Sequence, residues 1–398
     1  MALGTFAIGT ESFMIAAILP RIAADLSVTV AVAGQLISIF ALSYAVSSPI
    51  LTALTGGVDR RRLLLLSMVA FSLANVVAAS TGSYAALATA RVLLAWAAGL
   101  YTPNANALAS LLAGPQHRGR AIAIVSGGAS LAMAIGVPLG AVVGHWFGWR
   151  MTFAGVAVLG SVATAGLLAG LPARVGAGIV TATLADSVRV VRQPRVSPAL
   201  FVTTICAVGT YAVYTFVASY VTSATSLRGA QVGYALFLWG VSAGVGLMIG
   251  GRSTDKFGVR RVICATIAML ALALASLSAF SHWIPSDVAL IPILLAISLW
   301  GVSTWAFFPA QQTRLIEIAG IKLAPIVLSL NASFTYMGFS LGAALGAFAL
   351  VRTGITSLGW VGAACEMIGL VLFLATSRPS PAPRAPSQMR TSSVQREP

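Results

Sequence analysis

The sequence predicts an all-α membrane protein of twelve spanning helices, built as two equivalent six-helix halves. Three observations carry this. Hydrophobic residues make up 58% of the 398-residue chain and charged residues only 8%, with a mean hydropathy of +0.93. Such a composition cannot supply the polar surface that a water-soluble fold of this length needs. Apolar runs of spanning length recur twelve times between short polar connectors. A basic segment recurs as well. Gly251-Arg252-Ser253-Thr254-Asp255-Lys256-Phe257-Gly258-Val259-Arg260-Arg261 falls in register with Thr52-Ala53-Leu54-Thr55-Gly56-Gly57-Val58-Asp59-Arg60-Arg61-Arg62, at an offset of 199 residues. Each copy follows the second apolar run of its half and precedes the third.

The first run, 2–20, is long enough to span, and its Glu11 does not suit the apolar core of a cleavable signal peptide. Only a residue or two precede it, so the true start could lie slightly upstream. Run two (32–54) and run three (63–80) flank the upstream basic segment. Run four (85–112) contains Arg91 and Pro103. Run five (121–145) contains Gly136, Gly140 and Gly144 at i+4 spacing, and run six is 150–171. These make an N-terminal bundle, 1–171. The longest internal connector, 172–197, is read as a linker in which 182–191 forms a short surface helix. Runs seven to twelve (198–221, 230–250, 262–280, 288–311, 324–351 and 356–376) make a C-terminal bundle, 198–377. The Pro-, Ser- and Arg-rich tail, 378–398, reads as disordered.

Net charge is +15 and the isoelectric point about 11.0, which in a soluble chain would suggest nucleic acid. Here the basic residues sit in short connectors, so they read as orientation signals and no nucleic-acid partner is expected. With the N-terminus cytoplasmic, that side holds Arg60, Arg61, Arg62, Arg118, Arg120, Arg174, Arg189, Arg192, Arg195, Arg252, Lys256, Arg260 and Arg261. Arg314, Lys322, Arg378, Arg384, Arg390 and Arg396 follow. The other side holds Arg21, Arg150, Arg228 and Arg352. The asymmetry places both termini inside. Cys206, Cys264 and Cys365 all lie within apolar runs without disulfide or metal-ligand spacing, so neither a disulfide framework nor a metal is expected.

The segment 251–261 resembles the cytoplasmic signature of the major facilitator superfamily, Gly-x-x-x-Asp-Arg/Lys-x-Gly-x-Arg/Lys-Arg. Further pieces are similar to its sugar-efflux and chloramphenicol-resistance branch of drug:proton antiporters. These are Leu3-Gly4-Thr5-Phe6, Gly9-Thr10-Glu11, Leu19-Pro20, Gly34-Gln35-Leu36 and Phe40-Ala41-Leu42-Ser43-Tyr44. Arg91 followed by Gly99 resembles the family's fourth-helix motif. Gly136-Val137-Pro138-Leu139-Gly140 resembles its fifth-helix antiporter motif, followed by Gly148-Trp149-Arg150-Met151-Thr152-Phe153. Ala95 and Ala97 replace glycines usual in the fourth-helix motif, Pro138 is one residue off the usual Gly-Pro arrangement, and Gly56 stands where Asp255 stands downstream. The resemblance covers nearly the whole chain and implies the major facilitator fold. It also implies proton-coupled efflux of small organic molecules (drugs, sugars or related metabolites) across the inner membrane by alternating access. A proton-coupled importer or passive facilitator would use the same fold. A membrane enzyme or sensor is disfavoured, because His117, His145 and His282 lie at helix ends or in loops and no connector could hold a domain. No phosphate-binding Gly-x-x-x-x-Gly-Lys-Ser/Thr loop is present, and no cofactor is expected.

Glu11 is the leading candidate for proton coupling. Nine residues into its helix it lies ~13 Å deep, where a carboxylate costs at least ~2.5 kcal/mol and must face a cavity or a partner. Arg91, ~10 Å from the outer end of a helix running the other way, overlaps it in depth and is the expected partner. Glu366, midway along run twelve, is a rival carboxylate. The resemblance makes that helix peripheral, which favours a structural or oligomer-facing role, although a monomer is expected. Polar and aromatic residues on other runs could line a substrate pocket: Gln35, Tyr44, Asn104, Asn106, Tyr211, Tyr214, Phe216, Trp239, Trp300, Trp305, Gln311, Asn331 and Tyr336. Gly136, Pro138 and Gly140, with Gly338, Gly342 and Gly346, are read as close-packing positions. In the family, helices five and eight, and two and eleven, meet across the halves, so these glycines are expected to line sliding seams there. Asp59, Arg61, Arg62, Asp255, Arg260 and Arg261 are expected to act in gating loops, Asp255 with Arg260 and Arg261 by capping and ion pairing. The complete downstream copy around Asp255 should dominate, with Asp255→Asn disturbing transport more than Asp59→Asn.

Overall fold

The computed structural model describes residues 1–55, 57–172, 184–320 and 323–377. Gly56, residues 173–183 of the linker, Ile321, Lys322 and the tail lie outside the described residues, and with them the expectations about a Gly56/Asp255 asymmetry and a disordered tail. Among the described residues twelve helices are long and apolar enough to cross a membrane, and no strand occurs. The first bundle comprises α1 (Ala2–Asp25), α2 (Val30–Leu54), α3 (Arg60–Ser80), α4 (Tyr84–Gly114), α5 (Arg120–Trp146) and α6 (Trp149–Gly170). A short helix, α7 (Leu184–Val191), falls inside the expected linker helix and buries Val190 beside Val196, Leu200 and Val327. The second bundle comprises α8 (Val196–Tyr214) with its continuation α9 (Val217–Ala224), α10 (Gly229–Phe257), α11 (Val259–Trp283), α12 (Leu290–Ala319), α13 (Ala324–Thr353) and α14 (Ile355–Thr376).

Several helices run past their apolar cores, because hydropathy marks the buried stretch and not the last backbone hydrogen bond. α10 continues through Arg252, Asp255 and Lys256 to Phe257. It then breaks at Gly258, whose φ of 82° suits glycine, before α11 starts at Val259. Three spans are irregular. α4 and α5 are separated at Gly114 (φ 70°). α8 breaks at Thr215–Phe216, where one apolar run suggested a single helix. Within α5, Ala132–Gly136 winds as a π-helix directly before Pro138, whose ring and missing N–H disrupt ordinary α-helical bonding to residue 134.

The glycine stripes do not lie where they were expected. A Cβ on Gly136 would collide with Thr10, one on Gly140 would come within 2.9 Å of Met14, and one on Gly144 within 2.6 Å of Ile18. All three therefore seat α5 on α1 inside the first bundle. Gly338, Gly342 and Gly346, each 202 residues further on, meet Thr204–Ala207, Val208–Tyr211 and Ala212 of α8 inside the second bundle. These are matching seams within the halves, not sliding surfaces between them. Across the halves α2 does pack along α13, and α10 against α5. At the α5–α10 crossing the glycines belong to α10: a Cβ on Gly240 would lie 2.8 Å from the Met133 carbonyl carbon, and Gly233 faces the Pro138 carbonyl and Ala141.

With twelve antiparallel-linked spans, the start of α1 and the end of α14 lie on one face. On the opposite face the arginines hold helix ends. Arg150 pairs with Asp25 at 2.6 Å and donates to the Thr81 carbonyl, tying α1, α3 and α6 together. Arg21 donates to the Gly144 and His145 carbonyls at the C-terminus of α5, where a cation also suits the helix dipole.

Candidate functional site

Glu11 of α1 and Arg91 of α4 form an ion pair, Arg91 Nη1 donating to Glu11 Oε1, with both side chains 0% exposed. Antiparallel helices bring their similar depths together, as the sequence predicts. Arg91 Nε also donates to the Leu36 carbonyl of α2 at 3.3 Å, and the guanidinium lies 4.2 Å from the Phe40 ring centroid. One oxygen of the acid, Oε2, and one nitrogen of the base, Nη2, have no hydrogen-bond partner among the described residues. Most buried polar atoms are satisfied, so the pair keeps one donor and one acceptor free for a further partner.

Phe40 leads from this pair into an aromatic seam between the bundles. Tyr44 of α2 stacks on Tyr336 of α13 at 3.8 Å, and Phe40 lies 6.4 Å from Tyr336. Tyr336 meets Phe339, which stacks on Tyr211 at 3.6 Å. Tyr211 leads on to Tyr214, Trp239 and Trp300. Phe13, two residues from Glu11, meets Tyr214 edge-on, and Tyr214 Oη donates to the Phe13 carbonyl. Ser38 donates to the Ser340 carbonyl at 3.1 Å, and Phe216 fills the space over Gly34. The seam thus closes the halves on each other. Behind it lies a cavity of about 20 Å³, room for about one water, lined among others by Thr203, Cys206, Thr210, Tyr211, Trp239, Thr304 and Trp305. Thr210, Thr304, Trp239 and Trp305 each present a polar side-chain atom without a partner among the described residues.

Of the expected pocket residues, Tyr44, Tyr211, Tyr214, Trp239 and Tyr336 converge in this seam, and Trp305 lines the cavity. Asn331 is one step removed. It accepts from Thr203 at 2.8 Å, and Thr203 in turn accepts from Gln311, in a polar clamp joining α8, α12 and α13. Gln35 is half-buried on α2 outside the named seam contacts. Asn104 does not belong to the seam. It accepts from Arg60 at 2.8 Å and donates to the Leu100 carbonyl, so its amide serves the α3–α4 contact. Ser38, Phe339 and the cavity threonines carried no signal in the sequence, since single hydroxyl residues and phenylalanines in apolar runs look like packing; Phe40 appeared only within the resembling segment 40–44, with no role assigned.

The basic loops differ from expectation. Asp59 caps α3, accepting from the Arg62 backbone N–H at 3.0 Å, and Arg61 donates to the Leu168 carbonyl. Arg60, which the sequence does not single out, is the buried one. Asp255 lies in the last turn of α10, not at a helix start, and is exposed together with Arg260 and Arg261. The two ion pairs among the described residues do not include it. Its capping and pairing roles are therefore absent from this conformation, because Gly258 separates it from α11. Glu366, for which a structural or oligomer-facing role was expected, is turned fully inward against α8, which speaks against the oligomer-facing role and not against the structural one.

The family model of the Major Facilitator Superfamily matches residues 1–196 and 199–396. The chain is 32% identical to the MFS-type transporter YbcL of Bacillus subtilis over 96% of both chains. It is 32% identical to a chloramphenicol resistance protein of Streptomyces lividans over 94% of both chains. Its fold superposes on the crystal structure of a point mutant of the peptide transporter POT with a TM-score of 0.78, at 15% identity, over 94% of this chain and 92% of that one. Twelve candidate spans, a matching fold and a family match along nearly the whole chain lead to one conclusion: the chain belongs to the major facilitator superfamily and is a multi-pass membrane transporter.

Proposed function

We propose that this transporter is a proton-coupled efflux pump that exchanges small organic molecules for protons across the inner membrane by alternating access, with both termini cytoplasmic. The observation that carries the reading is the wholly buried Glu11–Arg91 pair, left with one free acceptor and one free donor beside the seam that joins the halves. Protonating Glu11 removes the charge that holds Arg91. The guanidinium can then turn to a substrate acceptor or a seam hydroxyl, and its hold on Phe40 and the Leu36 carbonyl changes with it. Tyr211 and Tyr336 lie within electrostatic range of Arg91, so the proton state of one helix pair is felt at the closure between bundles. In this cycle Glu11 takes a proton from outside as substrate leaves, and gives it to the cytoplasm after the halves reorient. The aromatic walls suit flat or lipophilic molecules, and the unpartnered indole N–H and threonine groups suit substrates rich in hydrogen-bond acceptors. The chloramphenicol resistance protein among its relatives makes that drug the first probe.

The test is transport in proteoliposomes. Wild-type protein should drive chloramphenicol uphill under an imposed pH gradient, and Glu11→Gln should still insert, at lower thermal stability, yet abolish that movement. Uphill pumping by Glu11→Gln would overturn the coupling role. Growth of an overexpressing host against sugars, nucleosides and antibiotics identifies the substrate if chloramphenicol is not carried. Counterflow without any response to the pH gradient would favour a passive facilitator.

A further inference from the structure

The second bundle holds a carboxyl of its own that the cycle above does not use. Glu366 of α14 is 0% exposed. Its Oε1 lies where a Cβ on Gly209 of α8 would come within 2.7 Å, so the glycine makes the recess that admits the acid. The carboxyl faces the Cys206 thiol and the Thr210 hydroxyl, yet neither of its oxygens, nor Thr210 Oγ1, completes a hydrogen bond among the described residues. Cys206 and Thr210 also line the central cavity. One layer of side chains therefore separates a buried acid from the place where substrate and water would enter.

The surroundings contain no counter-charge among the described residues. α14 packs chiefly on α8 and α11, with lesser contact to α13. From α8 the facing groups are Cys206 and Thr210, and the neighbour on α14 itself is Cys365. Leu274 of α11 covers the helix face at Gly362. The titratable and basic residues of α11 (Arg260, Arg261, Cys264 and His282) and of α13 (Tyr336 and Arg352) make no ion pair with it. Arg314 of α12 reaches α14 two turns away, over the Phe373 ring and onto the Thr376 hydroxyl. Glu11 has a guanidinium; Glu366 has none. An unpaired carboxylate in hydrocarbon is costly, so this acid needs water or a partner before it can carry a charge.

We propose that Glu366 is a second proton site, located in the C-terminal bundle, which exchanges its proton with the central cavity past Thr210 when that cavity is hydrated. The carboxyl O–H bond breaks, the proton passes to cavity water, and the reverse step reloads it when the cavity closes. Each half of the transporter thereby carries one fully buried acid, ion-paired in the first and without a counter-charge in the second.

Two measurements on the full-length protein in lipid vesicles test this without a known substrate. In pH-difference infrared spectra the wild type should lose two protonated-carboxyl C=O bands on alkalinisation, one removed by Glu11→Gln and a different one by Glu366→Gln. Thr210→Val should keep the Glu366 band but slow its response. An unchanged spectrum in Glu366→Gln, or a Glu366 band that never responds to pH, overturns the proposal; the second result would make the acid a fixed structural group. Because Glu366→Gln could fail to fold, a hydrophobic carbodiimide is also applied to wild-type protein. It adds covalently to protonated buried carboxyls, and mass spectrometry should find the adduct on Glu366 at low pH and several-fold less at high pH. No adduct at low pH, or labelling indifferent to pH, counts against the proposal. The Glu11 band reports on the coupling role of that residue separately, so either reading can fail alone.

Discussion

At the scale of single residues, the Glu11–Arg91 pair shows how an ionisable group in a membrane announces itself. Both residues are legible in sequence because the cost of burying charge leaves few reasons to keep them. Their pairing follows from matched depth on neighbouring helices. The energetics give a sharp expectation. Removing one partner strands a buried charge, which costs about 3–5 kcal/mol, whereas neutralising both is close to harmless. Arg91→Ala should therefore lower the unfolding temperature in detergent, and Glu11→Gln/Arg91→Gln should recover most of the loss while remaining inactive in transport. A double variant no more stable than Arg91→Ala would mean that the pair does not act as a unit. Asn104 shows the limit of such reading. A buried amide in an apolar run looks like a ligand-binding group, and only the position of Arg60 reveals that it is already engaged.

At the scale of elements, the glycine stripes carry the main lesson. Gly136, Gly140 and Gly144 and their counterparts 202 residues later are identical in spacing, and each stripe binds its helix to the first helix of its own bundle. A Cβ on Gly342 would lie 2.6 Å from the Val208 carbonyl oxygen. Gly342→Ala should therefore destabilise the protein by about 1–3 kcal/mol, read as a drop in thermal unfolding followed by tryptophan fluorescence. Gly166→Ala, where nothing lies within 4 Å, should be neutral or slightly stabilising. Equal effects at the two sites would deny that Gly342 is a contact glycine.

The basic loops give a second expectation at this scale, on stability. Asp59 caps α3 and Asp255 caps nothing. Asp59→Ala should cost about 1 kcal/mol, and Asp255→Ala should stay within about 0.5 kcal/mol, in the same thermal assay. The reverse order would restore the dominance that the complete downstream signature suggests. The signature is readable as sequence; whether its acid is engaged depends on where α10 ends, which hydropathy does not fix.

At the scale of the whole molecule, alternating access requires the halves to part somewhere along the seam from Ser38–Ser340 to Tyr44–Tyr336. A Ser38→Cys/Ser340→Cys pair, in a background lacking Cys206, Cys264 and Cys365, joins α2 to α13 at that point. Oxidation should stop transport and reduction should restore it. Undiminished transport through the crosslinked protein would show that opening does not pass through this contact.

The sequence by itself determined the class, the twelve spans and the presence of Glu11, Arg91 and Glu366 inside apolar runs, because these follow from the cost of placing polar groups along one coordinate, the membrane normal. Only the tertiary structure decided which way each helix faces. It turned Glu366 toward α8, set the glycines of α5 against α1, buried Arg60 and left Asp255 exposed. The physical reason is that lipid and protein interior are about equally apolar, so a spanning helix has little hydrophobic asymmetry around its axis. Its rotation is settled by packing, small residues against backbone and rings against rings.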